Sequence, residues 1–379
     1  MSTRIFHNGH ILTERGFETD ACLVVEDGHI VAVLHGEPPP HGEHIDLQGG
    51  YLVPGFIDVQ VNGGGGVLFN NDTSVEALAS IARGHRKFGT TGLLPTLISD
   101  DADVMRRAID ATRSAIAQGV PGVLGIHLEG PYIAPARKGT HDAGKFRVPD
   151  AAEIAMATSL DNGVTVITLA PERVPVATIQ AMVERGAIVC AGHTAGSYAD
   201  IRAGLDAGLT GFTHLYNAMT PLQGREPGVV GAALEDAHSW VGVIVDGVHV
   251  HPASLKVAIK AKPRGKVLLV TDAMPMVGGD NPSFDLYGET ITAIDGVVRN
   301  AAGSLAGSAL DMASAVRNTV HLLGLPLDEA CRMAAQYPAE FLGLGDAIGR
   351  IAPGYRADLV LLDAGVNVLS SWIGGPITE

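Results

Sequence analysis

Cysteine is scarce: Cys22, Cys190 and Cys331 are the only three in 379 residues. An odd number with no C-x-x-C spacing argues against a disulfide framework and fits a reducing, cytoplasmic compartment. Positive charge is also short. Lys and Arg number 26 against 41 Asp and Glu, a formal net charge of -15, which argues against nucleic acid or an anionic membrane as partner. An anionic ligand must then be met by a local cluster of cations. Long apolar runs are missing too. No stretch approaches the roughly 18 uninterrupted apolar residues of a membrane-spanning helix, and residues 1–10 have no apolar run of the kind that marks a signal peptide. No internal repeat or low-complexity linker breaks the chain. What is present is 46% hydrophobic residues and 48 glycines, the texture of a compact protein with many tight turns.

The first fifty residues read as short strands. Residues 21–25 and 29–34 flank Glu26-Asp27-Gly28, a hairpin signal because Asp-Gly tolerates positive φ. Pro54-Gly55 then marks a boundary, after which short apolar strands alternate with helical segments. The strands read as 55–62, 91–97, 123–129, 164–169, 187–193, 211–216, 241–248 and 266–272. Helical patterns cover 101–118, 174–186 and 197–207, and Thr73 with Glu76 reads as a capping box ahead of another helix. Strands apolar on both faces and alternating with helices predict an α/β protein, a (β/α)8 TIM-type barrel, with a doubly wound sheet as the alternative. Residues 284–299 read as a hairpin turning at Asp295-Gly296, 309–323 and 328–335 as helices, and 350–362 and 366–372 as strands. Strand-rich ends predict a small β-sandwich domain built from 1–53 plus 351–379, around a barrel of 54–350.

Chemistry-bearing residues fall at one end of these strands, the functional face of a barrel. The stretch Gly122 to Tyr132 is the clearest case: an apolar strand stopping in Glu129, then Gly130-Pro131. A carboxylate there is costly to desolvate without a partner. Strand one ends in Asp58-Val-Gln60-Val-Asn62, strand five in His193, strand six in His214, strand seven in Asp246-Gly-Val-His249 and strand eight in Asp272. One carboxylate and two histidines suit a three-ligand zinc-type site with an open position, leaving Asp272 as a general base. Each has a plainer reading: a strand-end His as a polar cap, Asp272 as a helix N-cap, Cys190 as a small buried residue. His127 shares the parity of Glu129 and is read as a supporting residue. Taken together, the recurrence of polar groups at one end favours a metal. After strand six, Asn217, Ala218 and Arg225, with His249, offer an anion site, a guanidinium being a multi-donor phosphate partner; pairing of Arg225 with Glu226 is the alternative. Gly63-Gly-Gly-Gly66 lacks a P-loop ending and reads as backbone passing close to a ligand.

Pro54-Gly-Phe-Ile-Asp58, His127-Leu-Glu-Gly-Pro131, Thr213-His-Leu-Tyr-Asn-Ala-Met219, Gly224-Arg-Glu-Pro-Gly228 and Val270-Thr-Asp-Ala273 resemble the N-acetylglucosamine-6-phosphate deacetylase family of the amidohydrolase superfamily. The matches run in order through the barrel. The resemblance implies Glu129, His193 and His214 as metal ligands and Asp272 as general base, acting on the acetamide of a phosphorylated amino sugar. It implies His141 as the group holding the acetamide oxygen, Asn217, Ala218, Arg225 and His249 as the phosphate grip, and a homodimer in which part of that grip comes from the neighbouring subunit. The superfamily's His-x-His on strand one is Gln60 and Asn62 here, amides that ligate zinc-type metals poorly. One divalent metal per subunit is therefore expected, Zn²⁺ foremost, with Fe²⁺ also suited to the donor set. A cyclic-amide hydrolase of the dihydroorotase type is the nearest rival, but strand four has no lysine and strand one no histidine pair. A non-catalytic scaffold would not need all four site residues.

Overall fold

Eight strands run parallel in chain order, which is the topology expected of a barrel wound by successive strand–helix units. The computed structural model describes residues 2–375; Met1 and the last four residues of the expected terminal domain lie outside the described residues. The strands are β1 (Phe56–Val61), β2 (Thr90–Ile98), β3 (Gly125–Glu129), β4 (Val164–Leu169), β5 (Ile188–Ala191), β6 (Gly211–Phe212), β7 (Trp240–Val243) and β8 (Val267–Leu269). Each pairs with the next, for example Leu128 with Ile167 and Phe212 with Val241, the β1–β2 pairing alone being broken by two register shifts. The two ends of the sheet meet through a parallel bridge between Val61 and Ala273, with Asp272 N donating to Gln60 O at 3.0 Å and Asn62 N to Ala273 O at 2.9 Å. Residues of β1, β2 and β3 are buried throughout, because helices cover the outer face and side chains fill the interior.

The strand spans shorten where the site begins. The expectation of strand over 211–216 holds only for β6; His214, Tyr216 and Ala218 adopt positive φ of 35°, 79° and 50°, a conformation that ends pairing. Strand seven likewise stops at Val243 rather than reaching 248. The capping box is corrected as well. The helix Val75–Arg86 is capped by Ser74, whose side chain accepts from Ala77 N, so Thr73 is one residue early. The helix Tyr198–Asp206 does carry a capping box, from Ser197 and Asp200. The expected single hairpin over 284–299 is three strands, Ser283–Leu286, Glu289–Ile294 and Val297–Arg299, the extra reversal falling at Tyr287-Gly288, both with positive φ.

Both termini build two further sheets. One orders the strands His29–His35, Ala21–Glu26, Thr3–His7 and Glu43–Asp46; the other orders Val368–Trp372, Leu359–Leu362, Tyr51–Pro54, His10–Thr13 and Gly16–Glu18. A second apolar core, with Phe6, Ile11, Leu23, Leu52 and Leu359, lies between them, the arrangement of a small β-sandwich. The expected strand over 350–362 is a continuous strand only in its last four residues; Pro353-Gly354 turns the chain before them, leaving a single bridge from Arg356 to His29.

Candidate active site

At the C-terminal ends of the barrel strands lies a cleft of about 690 Å³ lined by Asn62, Glu129, His141, His193, His214, Asn217, Ala218, His249 and Asp272, among others. Nine of the residues singled out from sequence thus meet in one place. Four of them, His193, His214, Ala218 and Asp272, hold positive φ of 48°, 35°, 50° and 53°. Non-glycine residues pay for that conformation, and such strain concentrates where side-chain aim matters more than backbone comfort.

Glu129 Oε1 lies 2.9 Å from His214 Nε2 and 3.1 Å from His193 Nε2, and the two ring nitrogens are 3.1 Å apart. His193 Nδ1 donates to the Arg137 carbonyl at 2.8 Å. A carbonyl only accepts, so the proton of the neutral ring is on Nδ1 and Nε2 presents a lone pair. A His193 lone pair, the carboxylate and the second ring nitrogen crowded this closely call for a proton or a cation among them. Two imidazoles, one carboxylate and an open side towards the cleft match a divalent-metal donor set. All three residues are nearly sealed from solvent. Burial would raise the Glu129 pKa, but the His193 and His214 rings outweigh it and hold the carboxyl well below its usual range; burial opposes and Glu129 supports the upward shift of His214.

Asp272 sits beside this cluster. Gln60 Nε2 donates to Asp272 Oδ1 and to both oxygens of Glu129, each at 3.2 Å, and Asn62 Nδ2 donates to Asp272 Oδ1 at 2.6 Å. The amides at the ends of β1 therefore aim N–H groups at the two carboxylates, which places positive ends where a second cation would need lone pairs. Burial, reinforced by the charge of Glu129, raises the Asp272 pKa. His127 lies deeper in the barrel, between Val59 O and Thr168 Oγ1 at 2.9 and 2.7 Å. Both of its ring nitrogens are thereby engaged below the site.

His249 Nδ1 bonds Asp246 Oδ2 at 2.6 Å, and the Asp246 carboxylate also accepts from the Val248 and His249 amides; the aspartate sets the ring on the cleft wall. Asn217 Nδ2 donates to His214 O. Two expected residues do not line the cleft: Gln60, buried against Glu129 and Asp272, and Arg225. The arginine is exposed in the loop before the helix Gly228–Glu235. Its suggested partner Glu226 instead accepts from Tyr198 N and Gly228 N. The four-glycine run is also corrected: its close approach is to the chain's own helix, where a Cβ on Gly64 would stand 2.6 Å from the His85 ring and one on Gly65 2.6 Å from Ser80 O. Residues not singled out from sequence are Arg137, Lys138, Arg299 and Asn300, which line the mouth. Arg137-Lys138 adjoins the Gly-Thr-His141 loop, which was a usable signal; Arg299 arrives from the far end of the three-stranded insertion, which was not.

The amidohydrolase family model matches residues 51–377. The chain is 42% identical over 370 residues to an N-acetylgalactosamine-6-phosphate deacetylase of Shewanella, covering 97% of this chain and 94% of that one. It is similar to the solved N-acetylglucosamine-6-phosphate deacetylase of Pasteurella multocida, with a TM-score of 0.95, 36% identity and 98% of each chain covered. A Mycobacterium smegmatis N-acetyl-D-glucosamine-6-phosphate deacetylase variant in complex with N-acetyl-D-glucosamine-6-phosphate matches with a TM-score of 0.92, 34% identity and 98% of each chain covered.

Proposed function

The chain belongs to the amidohydrolase family, and from that premise we propose that it hydrolyses the acetamide of N-acetyl-D-glucosamine 6-phosphate to D-glucosamine 6-phosphate and acetate. The observation that carries this reading is Asp272 standing beside the Glu129, His193 and His214 cluster in one cleft, in a chain covered end to end by deacetylase relatives.

Glu129, His193 and His214 would hold one divalent metal, Zn²⁺ by preference, since the donor set mixes imidazole with a single carboxylate. When bound, such an ion lowers the pKa of water towards neutrality and polarises a carbonyl. Asp272, held by Gln60 and Asn62, takes the proton of the attacking water and returns it to the departing amine nitrogen. His141 donates to the acetamide oxygen as negative charge develops there. Asn217, the Ala218 backbone and His249 receive the phosphate. Arg225 stands outside its own cleft, which supports a homodimer in which it completes the neighbour's phosphate grip; equilibrium sedimentation tests that assembly. Three buried free cysteines support a cytoplasmic setting.

The test is acetate release from N-acetylglucosamine 6-phosphate with the unphosphorylated sugar alongside. Asp272→Asn is expected to lower kcat by about 10²- to 10⁴-fold with metal content unchanged. Equal turnover of the unphosphorylated sugar would remove the phosphate grip from the account. The Shewanella relative favours a second reading, the 4-epimeric galactosamine substrate, so N-acetylgalactosamine 6-phosphate belongs in the same assay.

A further inference from the structure

Ser99 follows the last residue of β2 and is buried, with 1% of its surface exposed. Its Oγ lies 2.8 Å from His141 Nδ1, and its backbone N–H points at the same nitrogen from 3.4 Å. A peptide N–H has a proton and no lone pair to offer, so His141 Nδ1 is the acceptor. The ring proton of neutral His141 is then on Nε2. The same ring lies tilted against His193, with centroids 4.4 Å apart, and it lines the cleft.

The serine is itself held from three sides. Its carbonyl accepts from the Tyr287 hydroxyl of the three-stranded insertion. Its neighbour Ile98 donates its N–H to Asn70 Oδ1 at 3.0 Å. Gly130, directly after Glu129, has φ +80° and leaves the space for the hydroxyl: a Cβ there would stand 2.3 Å from Ser99 Oγ. The serine is therefore wedged between the turn that carries the metal-ligating carboxylate and the loop that carries His141.

We propose that Ser99 is a positioning residue for His141, fixing the tautomer in which Nδ1 accepts and Nε2–H faces the cleft. This rests on the deacetylase reading, in which His141 must donate to the acetamide oxygen. An imidazole with its proton on Nδ1 would instead turn a lone pair towards that oxygen, and the interaction would change sign. The orientation of a second, unreactive group thus decides whether the donor exists. Tyr287 ties the insertion to the same point through the Ser99 carbonyl.

The experiment combines spectroscopy with a double-mutant cycle on the metal-loaded protein. Long-range ¹H–¹⁵N spectra, with His141→Gln supplying the assignment by difference, are expected to show Nε2–H and unprotonated Nδ1 for His141 in the wild type. In Ser99→Ala, where only the backbone donor remains, a fraction with the proton on Nδ1 is expected. Kinetically, Ser99→Ala should lower kcat about 10-fold with little change in KM, a part of the roughly 10²- to 10³-fold loss for removing an oxyanion donor. In the His141→Gln background the same change should cost nothing further, since the two act as one unit. Ser99→Thr, which keeps the hydroxyl, should recover activity. A wild-type Nδ1–H tautomer, or losses that simply multiply in the double variant, overturns the proposal. The spectra stand whatever sugar is turned over, so an inactive wild type with the Nε2–H tautomer would count against the deacetylase reading alone.

Discussion

At the scale of single residues, the site is built from carboxylates whose surroundings differ. Asp58 lies on β1 with no exposed surface. It accepts the Thr271 hydroxyl and the backbone N–H groups of Gln60 and Thr271, at 3.2 and 3.3 Å for the latter two. Through those bonds it joins β1 to the segment carrying Asp272, at the seam where the barrel closes. Burial still dominates and pushes its pKa up to about 7 from 3.8. Between those values the folded protein keeps a proton that the unfolded chain has released. Asp58 therefore favours folding most below about pH 4, and that contribution is lost as pH rises towards 7, at up to about 1.4 kcal/mol per pH unit. Asp58→Asn removes this slope. Urea unfolding of both proteins across pH 4 to 7 should show the wild type losing stability relative to the variant as pH rises; parallel profiles would show that the carboxylate is ionised throughout. Asp58 was visible in the sequence only as part of a strand end. Ser99 was not visible at all, because strand two was expected to stop at Leu97 and a lone serine beyond it carries no signal until His141 is placed beside it.

At the scale of elements, periodicity identified which segments form strands and helices but not where each ends. The helix Val75–Arg86 makes the point. Its start was assigned from a Thr73–Glu76 pattern, yet the side chain that accepts the exposed N–H is Ser74. Ser74→Ala should cost about 1 kcal/mol of stability and Thr73→Ala almost nothing, read by chemical denaturation; the reverse order would restore the sequence-based cap. β6 was overextended for a different reason. Apolar residues recur as far as Leu215 and Tyr216, but left-handed backbone at His214 and Tyr216 is set by tertiary contacts that no local pattern records. The helix Gln336–Phe341 is not among the expected ones; it carries Pro338 in its first turn, where a proline is well tolerated. The metal cluster also belongs to this scale. Glu129 ends β3, while His193 and His214 follow β5 and β6, so an ion held there would tie three strands together. Chelation should lower the unfolding temperature, since a ligand at 100 times its Kd stabilises the folded state by about 2.7 kcal/mol. Calorimetry with and without chelator reads this directly, and His193→Ala should abolish the difference. A chelator-insensitive transition in the wild type would argue that no ion is held there.

At the scale of the whole molecule, the barrel was legible because each of its strands is apolar on both faces and polar at one end, and because that polarity recurs. What sequence order could not supply is which distant loops share the mouth. Arg137 and Lys138 come from the loop before His141, and Arg299 from the end of the insertion. All three line the cleft, and none forms an ion pair with an acid among the described residues; Arg299 Nη1 donates instead to Gly303 O. Elsewhere arginines are largely paired, as Arg113 is with Asp110 and Asp161. A molecule of net charge -15 repels a sugar phosphate at long range, and unpaired cations at the mouth are placed to reverse that locally. Their effect belongs to encounter rather than to bond breaking, so it should appear in kcat/KM and fade with salt as the screening length falls from about 10 Å at 0.1 M towards 3 Å at 1 M. Wild-type kcat/KM for the phosphorylated substrate should drop by about 10-fold or more over that range, whereas the Arg137→Gln, Lys138→Gln, Arg299→Gln triple variant should start lower and vary little, with kcat close to wild type throughout. A triple variant that kept the full salt dependence would assign the attraction to the phosphate grip around His249 instead, and a collapse of kcat would place one of these cations on the substrate itself.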